Sequence, residues 1–236
     1  MTQSKLKQPI YSLGRISILT ALSKPSLEKL ERRCAWRRYG RGEPIVDYLD
    51  ASDDVFFIAS GEVKVTIYAH TGKAVSFSVM GPGDAFGEYP AIDRGPRSAS
   101  VEARTDCLVA SLSAVAFREL LHTEPCVAEA LLPELVKKIR ALTTRVYEFS
   151  TLAVKNRIQA ELLRLATLGP RDGKGARISP PPTHTEIASR VATHREAVTR
   201  ELNRLARMGI IERRSGALVV EDVERLAELV HSATGE

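Results

Sequence analysis

The sequence predicts an α+β chain in three parts: a small antiparallel barrel or sandwich, a long helix, and a winged helix-turn-helix. Three observations carry that prediction. Between Trp36 and Leu112, short runs rich in Val, Ile, Phe and Tyr alternate with Gly, Asp and Ser turns. From Ala128 onward, apolar residues recur at spacings of 4 and 3 for almost four heptads. After residue 182, two capping-box spacings open two short helices, and two strands follow.

The elements follow in order. Residues 12–35 read as short helical pieces carrying Leu19, Leu22, Leu27 and Leu30, with Ser23-Lys24-Pro25 starting a new turn. Val55-Phe56-Phe57-Ile58 is one strand and Ser60-Gly61 a turn. Val63 to Tyr68 alternates apolar and polar, as a half-buried strand does, and Thr71-Gly72 turns again. Several strands at such short spacing close into a small barrel or sandwich.

The heptad seam runs through Ala128, Leu132, Leu135, Ile139, Leu142, Val146, Phe149 and Ala153. Its strict 3/4 alternation favours a partner helix over a helix packed on its own domain. Pro125 suits a first turn, whereas a proline at Pro133 is placed to kink the helix. A further helix spans about Val154 to Leu168, with Ile158, Leu162 and Leu165 on one face and Gly169-Pro170 as its stop. Residues 169–182 form a Gly/Pro-rich loop around a small strand at Ala176–Ile178.

In the last part, Thr183 and Glu186 have capping-box spacing, and Thr193 and Glu196 repeat it. The second helix reaches about Met208 and stops at Gly209. It turns Val198, Leu202 and Leu205 inward and Arg195, Glu196, Thr199 and Arg200 outward. Ile210 to Val220 reads as a strand, an Arg213-Arg214-Ser215-Gly216 turn, and a strand. The expected organisation is residues 1–123, then the helix 124–153, then residues 154–236.

Charge narrows the function. The 236 residues carry a net charge of +5. Residues 1–154 hold 20 basic and 18 acidic side chains, residues 155–216 hold 13 and 6, and residues 217–236 hold 1 and 5. The positive excess therefore sits in the helix-turn-helix segment, ahead of an acidic end. That is the footprint of a polyanion partner, although a solvated surface gives the same map. Arginine reads guanine bidentately in the major groove, and glutamate accepts from the cytosine amino group. Arg195, Glu196, Thr199 and Arg200 are the candidate base readers, with Arg213 and Arg214 on phosphate and Thr193 a further DNA-binding candidate. Glu196 also serves equally well as a cap. His194 reads as a turn residue touching phosphate or solvent.

A second constellation lies at residues 81–98. Gly83, Gly87 and Gly95 mark tight turns; Glu88 sits between them and the pair Arg97-Ser98 directly after. An enclosed arginine wants an anion, and a guanidinium fork with a serine hydroxyl suits a phosphodiester. A carboxylate accepts from a sugar hydroxyl. An internal Glu88–Arg97 ion pair satisfies the same spacing.

Other classes fall away. The longest apolar stretch, Cys107 to Phe117, is interrupted by serines and far shorter than the roughly twenty residues of a membrane span. Residues 1–10 contain no apolar h-region, so no secretory signal is expected. Three cysteines without close spacing, Cys34, Cys107 and Cys126, fit neither a disulfide framework nor a zinc ribbon, and point to a reducing cytoplasm. No metal-ligand spacing, Ser–His–Asp or Cys–His arrangement, or Walker loop is visible. An enzyme and a metal site are not expected.

Phe86-Gly87-Glu88 followed by Arg97-Ser98-Ala99 resembles the phosphate-binding cassette of cyclic-nucleotide-binding domains. With the helix and reader behind it, residues 15–220 resemble the CRP/FNR family of bacterial transcription regulators. The likeness is strongest to the cAMP receptor (catabolite activator) subgroup. The resemblance implies a jelly-roll-like antiparallel β-roll, a dimerisation helix, and a winged helix-turn-helix. It implies cyclic AMP as allosteric ligand, with Glu88 on the ribose 2′-hydroxyl, Arg97 and Ser98 on the cyclic phosphate, and Gly87 allowing close approach. It also implies a homodimer on a palindromic TGTGA-like operator read by Arg195, Glu196 and Arg200, with RNA polymerase as a further partner. Subgroup members place adjacent Thr and Ser against the adenine, where this chain has Leu142 and Thr143. Thr143, at heptad position e, is the candidate base contact. The leucine puts discrimination between cAMP and cGMP in question, because strong rejection needs buried polar groups left unpaired.

Overall fold

The computed structural model describes residues 12–68 and 74–234. The N-terminal decapeptide and the Thr71-Gly72 turn lie outside the described residues. The chain divides into two compact units inside its longest helix, between Lys137 and Lys138.

In the first unit a 3₁₀ turn at Ser17–Leu19 precedes α1 (Lys24–Arg33), whose N-cap Ser23 accepts from the Ser26 amide. There follow β1 (Ala35–Tyr39), β2 (Pro44–Val46), β3 (Val55–Ser60), β4 (Val63–Tyr68), β5 (Ala74–Met80) and β6 (Ala85–Phe86). Then come α2 (Glu88–Asp93), β7 (Ser100–Ala103), β8 (Cys107–Leu112), α3 (Ala114–Thr123) and α4 (Pro125–Thr151). Two antiparallel sheets result, ordered β1-β8-β3-β6 and β2-β7-β4-β5. Strand β3 shows why its sequence is continuously apolar. Val55 and Phe57 face a core shared with α1, α3 and the start of α4, while Phe56 and Ile58 face the core between the sheets. A strand covered on both faces has no polar side.

Three helices were not foreseen in the sequence. α2 replaces an expected loop. α3 is capped by Ser113, which accepts from the Ala116 amide, and buries Phe117 and Leu120. The third closes the second unit. The helix α4 runs on through Pro133. Pro133 and Glu129 are both exposed, so water can serve the carbonyl that the proline leaves without a donor. Val127 and Leu131 are buried in the unit's own core, while the seam residues Leu132, Ile139, Leu142, Val146 and Phe149 are exposed. Exposure reaches 61% at Ile139 and 65% at Val146, which a stable water-facing helix does not require.

The second unit continues from α4 into α5 (Val154–Leu168), β9 (Arg171–Asp172), β10 (Gly175–Ile178), α6 (His184–Arg190) and α7 (Arg195–Arg207). It ends with β11 (Ile211–Arg214), β12 (Ala217–Val220) and α8 (Val223–Thr234). Its sheet is ordered β11-β12-β10-β9, and Ile158, Leu162, Ile187, Val198, Leu205, Ile210, Val220 and Leu226 form its core. The Thr183–Glu186 capping box is present on α6. The expected Thr193–Glu196 box is not. α7 begins at Arg195, so the N-cap is His194, and no side chain caps it. Thr193 instead uses its amide in the turn, donating to the Ala188 carbonyl at 2.9 Å. Arg213 and Arg214 belong to β11 rather than the turn, which Ser215 and Gly216 make with φ of 46° and 72°. Two consecutive left-handed residues are the hairpin turn whose twist matches the strands. The acidic end forms α8, opened by Asp222, whose carboxylate accepts from the Arg225 amide at 2.9 Å.

Candidate functional site

The first unit brings Gly87, Glu88, Arg97 and Ser98 together. Gly87 adopts φ 82° where β6 turns into α2. A Cβ there would stand 2.6 Å from Arg97 Nη1 and 2.7 Å from the Asp54 carbonyl. Both the left-handed backbone and the crowding require glycine. Glu88 opens α2 and is 4% exposed. The helix is held at its other end by Arg118, which donates to the Ala91 carbonyl at 2.7 Å.

Arg97 is 2% exposed. It donates from Nε to Ser52 Oγ (3.0 Å), from Nη1 to the Gly87 carbonyl (3.2 Å) and from Nη2 to the Asp54 carbonyl (2.9 Å). Its guanidinium lies 5.4 Å from the centroid of the Phe56 ring, which stacks on Phe86. Among the described residues no carboxylate makes an ion pair with it. Burial pushes its pKa below the ordinary arginine value, and the carboxylates of Asp54, Asp50, Asp53 and Glu88 oppose that shift from further off. Two of the five N–H groups have no acceptor in these bonds. The result is a buried cation anchored by neutral oxygens, with donors to spare for an anion. Ser98, the next residue, is exposed.

Sequence reasoning missed Ser52, Asp54 and Phe56. They stand more than forty positions before Arg97, on the approach to β3, and no spacing links them. Leu49, in the same loop, holds φ 64° and donates from its amide to the Arg97 carbonyl at 3.2 Å.

Thr143 lies in the second unit, on the exposed side of α4. Its hydroxyl donates to the Ile139 carbonyl at 3.0 Å, and Thr144 does the same toward Arg140 at 3.1 Å. Either oxygen keeps a lone pair for a further donor.

The second unit places Arg195, Glu196 and Arg200 on the exposed face of α7, with Thr199 half-buried between them. Thr193, half-buried, lies in the turn before α7, and Arg213 is exposed on β11. The two wing arginines differ. Arg214 is bound to Glu212 at 2.5 Å and Glu221 at 3.1 Å. Arg213 reaches His184 Nε2 at 3.2 Å. Beneath α7, Glu201 is buried and accepts from Gln159 at 2.6 Å and Arg204 at 3.0 Å. Around the turn, Arg157 donates to the carbonyls of Leu152, Val191 and Ala192. The buried Glu161 gathers Arg145, Arg164 and Arg190. These clasps join the end of α4 to the helix-turn-helix, and no local sequence signal announces them.

Known proteins match both regions. Residues 36–124 match the cyclic nucleotide-binding domain, and residues 156–229 match the Crp-like helix-turn-helix domain. The chain is 30% identical over 193 residues to the cyclic AMP receptor protein of Thermus thermophilus, spanning 82% of this chain and 87% of that one. It is 29% identical over 216 residues to the CRP-like cAMP-activated global transcriptional regulator of Mycobacterium tuberculosis, spanning 91% and 96%. Among solved structures, the CooA mutant of Carboxydothermus hydrogenoformans superposes with a TM-score of 0.77 at 20% identity, over 91% of this chain and 94% of that one, a likeness of fold. Gly87, Glu88 and the buried Arg97 lie inside the first matched region, and Arg195, Glu196 and Arg200 inside the second. The chain belongs to the CRP/FNR family of DNA-binding transcription regulators.

Proposed function

We propose that this regulator is switched by cyclic AMP. Glu88 accepts from the ribose 2′-hydroxyl, Arg97 and Ser98 bind the cyclic phosphate, Gly87 lets the backbone approach, and Thr143 contacts the base from the dimer helix. The observation that carries this reading is Arg97. It is a buried guanidinium with donors left over and, among the described residues, no carboxylate paired to it. The homodimer forms through the exposed seam of α4, within residues 124–153. Bound ligand shifts the population between two placements of the readers, with a hinge near Ala153 between α4 and α5. In the competent placement two copies of α7 lie about 34 Å apart, one turn of DNA. Arg195, Glu196 and Arg200 read a palindromic TGTGA-like site, with Thr193 and Arg213 toward phosphate. RNA polymerase is then the downstream partner, and the cytoplasm the setting. No helix among the described residues is long and apolar enough to cross a membrane.

One feature favours a second reading. Leu142 offers no hydrogen bond where the subgroup has a polar base contact, so the pocket accepts cGMP beside cAMP.

Titration calorimetry with each nucleotide, and binding of the palindromic duplex without ligand, with cAMP and with cGMP at fixed salt, test both. Arg97→Leu is expected to weaken nucleotide binding about 100-fold, the worth of two hydrogen bonds to a charged group. It should also abolish ligand-dependent DNA binding. Unchanged nucleotide affinity in Arg97→Leu would overturn the pocket.

A further inference from the structure

His184, the first residue of α6, ties three elements of the reader together. Its Nδ1 lies 2.7 Å from Thr199 Oγ1 on α7. Its Nε2 lies 3.2 Å from Arg213 Nη2 on β11. Thr199 Oγ1 donates at 3.0 Å to the Arg195 carbonyl one turn back. Counting protons leaves one assignment. Arginine has donors only, so Nε2 accepts, and a neutral ring then carries its proton on Nδ1. Nδ1–H donates to Thr199, whose own proton is committed to Arg195. The row runs from Arg213 through His184 and Thr199 to the Arg195 carbonyl, every proton pointing the same way.

We propose that His184, as the neutral imidazole protonated at Nδ1, is a positioning residue that registers the wing against the recognition helix. This rests on α7 and the wing being the DNA-facing surface. Two consequences follow for recognition. Thr199 has spent its only donor, so it meets a thymine methyl or an amino donor and cannot donate to guanine. And the row depends on charge. A protonated ring has donors at both nitrogens, so its contact with Arg213 becomes a meeting of two cations.

The groups facing the ring are Arg213 on β11 and Arg195 on α7. On its own element, Glu186 directs its carboxylate to the Thr183 amide and hydroxyl. Burial first, then Arg213 and Arg195, hold the imidazole pKa below its ordinary 6.5. A lowered folded pKa means the row is intact above about 6.5 and is lost as pH falls through the folded value.

Imidazole NMR of the full chain, with His184 assigned by comparison with His184→Asn, reads the row directly. The Nδ1–H tautomer is expected, with a pKa below 6.5 that rises in Arg213→Ala. The Nε2–H tautomer, or a pKa that Arg213→Ala leaves unmoved, overturns the row. The second measurement is the ratio of affinities for the palindromic duplex and a scrambled one, at fixed salt with cAMP, near about pH 8 and at a pH below the His184 pKa that the NMR titration gives. Wild type is expected to lose about tenfold in that ratio at the lower pH, the worth of one charge-assisted hydrogen bond. His184→Asn keeps a donor toward Thr199 and cannot be protonated, so its ratio stays level. A level wild-type ratio, or the same fall in His184→Asn, overturns the positioning role. If Arg195→Ala and Arg200→Ala leave the ratio unchanged, the reading of α7 fails instead, and the tautomer still decides the row.

Discussion

Arg97 and His184 are both polar groups held away from water by their neighbours, Arg97 buried and His184 half-buried. Arg97 keeps its charge because three oxygens and an aromatic face replace water, and it stays short of acceptors. Burial first, then the facing Arg213 and Arg195, push the His184 pKa below its ordinary value. Cys34 makes the contrast plain. Burial and Glu31 push its thiol up to about 12, so it packs as a small apolar group rather than a nucleophile. Gly87 is the position where a single methyl does most harm. Gly87→Ala adds strain at φ 82° and places a Cβ 2.6 Å from Arg97 Nη1. It is expected to cost about 1–2 kcal/mol of stability and to weaken nucleotide binding by displacing Arg97. Thermal unfolding and calorimetry check both, and wild-type values in each would refute the argument. Arg97 and Glu88 were legible because each closely follows a glycine-marked turn. Ser52, Asp54, Phe56 and the row through His184 were not, since hydrogen bonds between distant residues leave no period in a sequence.

Strands and long helices were legible as elements because burial imposes a period. β4 follows the alternation of residues 63–68, and α4 follows the heptads. Short helices escaped. α2 and α3 bury only a few residues each, too few to set a period against their neighbours. The two Thr–Glu spacings near the reader show the limit of a local rule. Thr183 caps α6, but a start one residue later leaves Thr193 outside α7. The seam of α4 makes a prediction at this scale. Ile139 is 61% exposed in the single chain, so Ile139→Asp leaves the fold of either unit intact. If the seam is the dimer interface, the dissociation constant should rise at least about 100-fold, since each of two buried isoleucines is worth about 1.5–3 kcal/mol. Sedimentation equilibrium measures it, and an unchanged dimer would move the interface elsewhere.

For the whole molecule, the uneven charge map takes on structural meaning. The positive excess of residues 155–216 divides between two uses. Arg157, Arg164, Arg190 and Arg204 hold the second unit together through carboxylates and carbonyls. Arg195, Arg200 and Arg213 remain exposed, the arrangement expected of DNA contacts. Only the second group should appear in the salt dependence of binding. Arg213→Ala is expected to lower the log–log salt slope by about 2, one phosphate for each of two protomers, on any duplex. Arg200→Ala should instead reduce preference for the palindrome, because base contacts carry the discrimination. A salt slope unchanged in Arg213→Ala would place that arginine off the phosphates.

By itself the sequence determined the class of the fold, its division into roll, long helix and reader, and the residues with unmistakable chemistry in glycine-marked turns. Periodic burial and capping are local properties, so they are written in local spacing. The tertiary structure alone decided which oxygens hold Arg97, where α7 begins, which arginines are structural, and how His184 joins wing to helix. Those depend on distances between residues tens of positions apart, which packing sets and spacing cannot express.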